Sequence, residues 1–232
     1  MSDPIRIALV AEGPTDGIVI GAAIGSILGT KPFILKQLQP EESLAFGQLQ
    51  GGWGGVYHWC RQAVLRSGGS LNDDPLFASY DILIVHLDTD VASAQYAEAG
   101  IVDPTNDLPC AQPCPPAQDT TDQLRVVLVR WVGGAPLPQS LVWCTPSKCT
   151  ETWVLTALYP SDPVVNSGTV ECLATPNSRL QAKPKNGRLI TGGRKITEVY
   201  RKRASEITQA WAEVRGRRGE AERFSTDLGA LV

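Results

Sequence analysis

The feature that most constrains this chain is the stretch Tyr80-Asp81-Ile82-Leu83-Ile84-Val85-His86-Leu87, an apolar run that ends directly in Asp88-Thr89-Asp90. A strand apolar on both of its alternating faces is buried on both, which happens where helices cover each side of a parallel sheet. Residues 5–11, 32–38 and 141–144 read as further strands. Helical spacing follows the first of them after the turn Gly13-Pro14-Thr15-Asp16, and recurs over 56–66, 121–131 and 151–158. Strands alternating with helices predict an α/β fold with a Rossmann-like, mostly parallel sheet flanked by helices. At 232 residues and 43% apolar, the chain is long enough to bury roughly 70% of its unfolded surface as one globule.

The expected organisation is an α/β domain over 1–178 and a helical extension over 179–232 packed on it. A Pro/Cys-rich insertion at about 99–120 carries Pro104, Pro109, Pro113, Pro115 and Pro116, and reads as a lid or an embellishment. In the extension, 195–214 places Ile196, Val199, Tyr200, Ile207, Trp211 and Val214 at three-to-four spacing with Arg and Lys between them, which predicts a basic amphipathic helix. Net charge is −3, yet 1–178 holds 8 Lys/Arg against 18 Asp/Glu, and 179–223 holds 13 against 5. The basic pole could steer a polyanion, with Arg194, Lys195, Arg201, Lys202 and Arg203 as the expected nucleic-acid contacts, or simply present a solvated face.

The N-terminus lacks the charged and apolar regions of a signal peptide, so a cytoplasmic protein is expected. Residues 17–29 are apolar with Gly17, Gly21, Gly25 and Gly29 on one stripe. Thirteen residues fall short of the roughly 20 a membrane span needs, so the stripe is read as a helix pressed on a sheet through its glycines. In a reducing compartment the six Cys are expected as thiols. Cys110-x3-Cys114 and Cys144-x4-Cys149 lack the usual two-residue spacing of structural zinc ligands.

In such sheets ligands gather at the carboxyl ends of the strands. Three acidic sets fall there: Glu12 and Asp16 after the first strand, Asp88 and Asp90 after the central one, and Glu151, three residues beyond Lys148, after the last. Acids converging on one rim repel one another, and a hard divalent cation, Mg²⁺ or Mn²⁺, relieves that. If the chain stays extended, the two-residue step puts Asp88 and Asp90 on one side, where both can reach one ion or two neighbouring ions. Lys148 could ground a phosphate. Glu151 alternatively serves the helix N-terminus after Thr150, where the dipole favours a carboxylate.

These residues carry a resemblance. Glu12-Gly13-x-x-Asp16, Asp88-x-Asp90 and Lys148-x-x-Glu151 resemble the TOPRIM domain of topoisomerases, bacterial primases and OLD-family nucleases. Glu151-Thr152-Trp153 and Glu222-Arg223-Phe224 are similar to the pattern of a stand-alone bacterial TOPRIM-related family. The resemblance implies a TOPRIM-like fold in which Glu12 is metal ligand or general acid/base and Asp88 and Asp90 hold metal. It further implies that Asp16 and Glu151 complete a second site and that Lys148 contacts the scissile phosphate. Its implied activity is Mg²⁺-dependent hydrolysis of nucleic acid, DNA ahead of RNA, in phage defence or repair, with any ATP-dependent role supplied by a separate ATPase. Homodimer formation stays open.

A non-catalytic module that keeps the fold and uses the acidic rim to bind metal, nucleotide or a partner is the alternative. The chain has no P-loop signature, no Gly-x-Ser-x-Gly elbow and no dehalogenase-type aspartyl nucleophile motif. Its two histidines are His58 and His86, and His86, inside the apolar strand, is read as a hydrogen-bonded core residue. Trp53, Tyr57 and Trp59, beside a Gly-rich loop containing Gly47, Gly51, Gly52, Gly54 and Gly55, could stack on bases but are read as core.

Overall fold

The computed structural model describes residues 3–40, 51–102 and 106–232; Gly47 and Pro104 lie outside them. Strands β1 (Ile5–Val10), β2 (Phe33–Gln39), β3 (Ile82–His86) and β4 (Leu141–Cys144) form one sheet in the order β2-β1-β3-β4, parallel at every pairing. The α-helices are α1 (Pro14–Leu28), α2 (Trp53–Arg66), α3 (Gln118–Trp131), α4 (Glu151–Leu158), α5 (Pro163–Asn166), α6 (Pro176–Gln181), α7 (Thr197–Arg217) and α8 (Gly219–Gly229). A small antiparallel hairpin, β5 (Ile190–Thr191) with β6 (Arg194–Lys195), precedes α7.

Strand β3 is buried along its whole length, as its composition requires. Side chains alternate across a strand. Ile82 and Ile84 therefore enter a core built with Val19 and Ile24 of α1, Trp153 of α4, Trp211 of α7 and Phe224 of α8, while Leu83 and Val85 meet Val56 of α2 and Leu124 and Leu128 of α3. The result is a sheet sandwiched between two helical layers. Truncating Ile84 to Ala would cost about 2–5 kcal/mol, the range for a cavity in a packed core.

This layering creates the site. The chain leaves β1 toward α1 on one face and leaves β3 toward α3 on the other, so the loops after these adjacent strands part and open a crevice. On α1 the first half of the glycine stripe does what its spacing predicts, whereas Gly25 faces Thr208 of α7 and Gly29 lies past the helix end. A Cβ at Gly17 would lie 2.3 Å from Gln37 Oε1 and one at Gly21 would lie 3.3 Å from Leu35 Cδ2, both on β2. Across the same helix, Thr208 Oγ1 of α7 donates to the Ala22 carbonyl at 3.0 Å. Among the described residues no helix is long and apolar enough to cross a membrane.

The C-terminal helix differs from expectation in where it starts, and its cations are mostly paired. Its apolar face is present, with Tyr200, Ile207, Trp211 and Val214 buried, but the helix begins at Thr197 and carries five basic against three acidic residues. Arg201 and Lys202 reach Glu198 and Arg203 reaches Glu206, so its outer face is largely self-neutralised and not a basic track. Helices α7 and α8 share the core of the strands, and position 178 lies inside α6.

The thiol expectation fails for two cysteines. Cys114, in the Pro-rich stretch, is disulfide-bonded to Cys172 with Cα atoms 5.7 Å apart. A contact across 58 residues leaves no trace in local spacing. Cys60, Cys144 and Cys149 are buried free thiols and Cys110 is a half-buried one. Trp53 stacks on Trp131 at 6.3 Å and Tyr57 meets the same ring edge-on at 5.2 Å, which places both in the core layer, as read from the sequence.

Candidate metal centre

Glu12 follows β1 by two residues and Asp88 follows β3 by two, and the parallel register holds them across the crevice. The Asp88 backbone N–H donates to Glu12 Oε1 at 2.7 Å. His86, the last residue of β3, lies two positions before Asp88, and its Nε2 sits 3.0 Å from Asp88 Oδ1. The Thr150 N–H donates to the same oxygen at 3.1 Å, so Oδ1 is committed to holding the fold. Glu12, His86 and Asp88 each offer a ligand atom within 4.8 Å of the others. His86 is a hydrogen-bonded core residue as expected, and its partner is the central acid of the site.

The loop from β4 to α4 supplies the opposite wall. Lys148 adopts φ 65°, a left-handed conformation that costs a non-glycine residue energy and recurs at functional loops. Beyond it, Thr150 Oγ1 donates to Asp16 Oδ1 at 2.6 Å, and Glu151 lies fully buried at the start of α4. Asp88, Cys149 and Glu151 form a second set whose ligand atoms lie within 4.8 Å of one another. Lys148 itself is half-buried at the rim.

Lys195 is the residue whose placement the sequence did not disclose. Expected on a nucleic-acid-facing helix, it lies in β6, where the Gly192-Gly193 loop, positive in φ at both residues, turns the hairpin. Alternation then leaves Arg194 exposed and sends Lys195 inward. Its Nζ is 2.8 Å from Glu151 Oε1 and 3.5 Å from Asp16 Oδ1, while the Tyr200 hydroxyl donates to Glu151 Oε1 at 2.8 Å. Tyr200, read only as an apolar-face residue, thus contacts an expected site residue through its hydroxyl; nothing in the spacing around it signals that.

Asp90 departs from the extended geometry assumed for Asp88-x-Asp90. The chain turns into a 3-10 helix, Thr89–Ser93, immediately after Asp88, and the Asp90 N–H donates to the Lys148 carbonyl at 3.0 Å. Its side chain is exposed at the mouth of the crevice and belongs to neither ligand group. Asp16 is buried but likewise belongs to neither group, its Oδ1 occupied by Thr150 and Lys195.

The electrostatics follow from burying acids among acids. Burial, with Asp16 and Glu151 adding to it, pushes Asp88 up to about 7 despite the opposing pull of His86. Burial, Asp88 and Asp16 hold Glu12 well above the usual carboxylate range. Burial works against charge on His86 and Lys195, yet the surrounding carboxylates outweigh it and raise both. Three fully buried polar atoms here have no partner: His86 Nδ1, Thr89 Oγ1 and Glu151 Oε2. A cleft of about 360 Å³ between Glu12, Asp16, Asp88 and Lys195 opens the site to solvent. A larger groove, about 730 Å³ at the opposite ends of the strands, holds the exposed Arg6–Asp81 pair and neither ligand group.

Of the expected site residues, Glu12, Asp16, Asp88 and Glu151 converge on the crevice, Asp90 and Lys148 border it, and Arg201, Lys202 and Arg203 lie along α7 with carboxylate partners. Comparisons with protein-family models, curated proteins and solved structures match this chain to none of them.

Proposed function

We propose that this chain is a divalent-cation-dependent phosphodiesterase, a TOPRIM-like nuclease acting on DNA ahead of RNA, with its reaction centre at the crevice between β1 and β3. The observation that carries the reading is the convergence of Glu12, His86 and Asp88 within 4.8 Å at a topological switch point, beside Lys195.

The donor set fits a hard cation. Glu12 and Asp88 offer carboxylate oxygens, Asp88 Oδ2 stays uncommitted, and the excess of buried acid is of the kind that Mg²⁺ or Mn²⁺ neutralises. A cation bound there would polarise a phosphoryl oxygen and lower the pKa of an attacking water. The protein's own part is positioning and charge. His86 and the Thr150 N–H fix the orientation of Asp88, and Tyr200 and Lys195 fix Glu151. Lys195, reaching the cleft from the hairpin, is placed to meet a phosphate oxygen. Glu12, held across the crevice by the Asp88 N–H on its Oε1, is placed beside the same position.

One observation favours a second reading, a non-catalytic binding module: Lys195 already neutralises part of the acidic cluster from within. A cleavage assay separates the two. Wild-type protein with Mg²⁺ or Mn²⁺ is expected to cut at least one of plasmid, linear duplex, single-stranded DNA or RNA, and Asp88→Ala none. If both proteins are inert on all four while calorimetry still detects cation binding, the module reading takes over.

A further inference from the structure

We propose that the crevice holds a second, sulfur-containing cation position formed by Asp88, Cys149 and Glu151, and that this position prefers a thiophilic divalent ion such as Zn²⁺ or Co²⁺ to Mg²⁺. It rests on the reading that the crevice binds divalent cations, and it deepens that reading by naming which ion a part of it selects.

The three ligand atoms lie within 4.8 Å of one another, and the residues are 6%, 4% and 0% exposed. The independent observation is Glu151. Its Oε1 is taken by Lys195 and Tyr200, whereas Oε2, on a side chain with no solvent exposure, has no N–H or O–H donor, and the Cys149 thiol is the remaining group that interacts with this carboxylate. A buried carboxylate oxygen without a donor costs free energy that a bound cation would recover. Asp88 commits Oδ1 to His86 and Thr150, which leaves Oδ2 as its uncommitted oxygen. The left-handed turn at Lys148 and the start of α4 bring Cys149 and Glu151 to this point two residues apart.

Oxygen-only sites suit Mg²⁺ and Ca²⁺, but a thiolate shifts preference toward softer ions along the first-row series. On binding, the Cys149 thiol releases its proton to solvent and the sulfur lone pair takes up the cation, with no change of oxidation state. The ion would enter through the cleft at Asp88, the member of the trio that lines it.

The test is an absorption titration of the full chain with Co²⁺, on wild type, Cys149→Ser and Glu12→Gln, each checked for native circular dichroism, with a parallel Mn²⁺ calorimetric titration. A sulfur-to-cobalt charge-transfer band is expected in wild type and Glu12→Gln and is lost in Cys149→Ser. Zn²⁺ should displace the Co²⁺ at concentrations at least about 100-fold lower than Mg²⁺. A wild type without the band, or a band that survives in Cys149→Ser, overturns the proposal. Should Mn²⁺ bind wild type, bind more weakly to Glu12→Gln and leave no cobalt band, the thiolate site is refuted and the crevice reading stands. If neither ion binds, both are refuted.

Discussion

Asp88 and Asp162 are the same residue type at the same 6% exposure, and the protein holds them in opposite protonation regimes. Burial opposes charge on both. At Asp162, Arg179 donates to both carboxylate oxygens, Lys183 reaches Oδ2 and the Val164 N–H caps Oδ1, so its pKa falls below the ordinary value. At Asp88 deeper burial, with Asp16 and Glu151 adding to it, outweighs His86, and the pKa climbs to about 7. Surface exposure alone therefore does not distinguish a structural carboxylate from one poised for an outside cation. What distinguishes them is whether the chain itself supplies the counter-charge and fills the lone pairs.

The strongest way to break this comparison is to remove the poised member. Asp88→Ala is expected to lower phosphodiesterase kcat by about 10³-fold, the equivalent of the several kcal/mol that an electrophilic cation supplies. A variant that keeps more than a tenth of wild-type activity would sever Asp88 from the chemistry. The matched change on the structural side, Asp162→Asn, should instead lower stability by about 2 kcal/mol without touching cation binding. That figure sits below the cost of breaking a fully buried pair because Arg179 is 39% exposed. Chemical denaturation of Asp162→Asn and Asp88→Asn in chelator reads the contrast directly: Asp88→Asn, which relieves like-charge repulsion, should be at least as stable as wild type.

pH sharpens the same point. Asp88 and His86 both have folded-state pKa values above their unfolded ones, so the folded protein binds more protons through this range. Their stabilisation is complete at low pH and is lost as pH rises from about 4 to above 7. The melting temperature in chelator should therefore fall from pH 5 to pH 8, and saturating Mn²⁺ should flatten or reverse that trend. A metal-free profile that rises across this window would contradict the assignment. Asp162 has the opposite sign: its contribution is present above pH 4 and fades only below, outside the tested range.

The smallest effect belongs to α7. Arg201→Ala, in a pair exposed on both sides, should change stability by no more than about 0.5 kcal/mol. If the helix nevertheless tracks a phosphate backbone, the slope of log affinity against log salt should shrink by about one for that single contact. An unchanged slope would assign the basic residues of this helix to solvation alone.

Much of the architecture was legible because its causes are local. The two-sided apolar character of residues 82–85 implies burial on both faces and hence a parallel sheet, and β4 and α4 fall at the boundaries their residues predict. The convergence of Glu12 and Asp88 was legible for the same reason, since whatever follows a strand in a parallel sheet must stand at its carboxyl end. Asp90 was misjudged because the backbone turns at Thr89, which no periodicity announces.

What the sequence by itself determined is therefore the sheet, its helical layers and an acidic rim, all consequences of residue spacing within about a dozen positions. Strand order, the depth of the crevice and the partners of each acid were decided by the tertiary structure. Lys195 and Tyr200 enter from a hairpin and helix at least 44 residues beyond Glu151, Cys114 meets Cys172 across 58, and Thr150 meets Asp16 across 134. Such contacts depend on how layers close over one another, and local patterning carries no record of that closure.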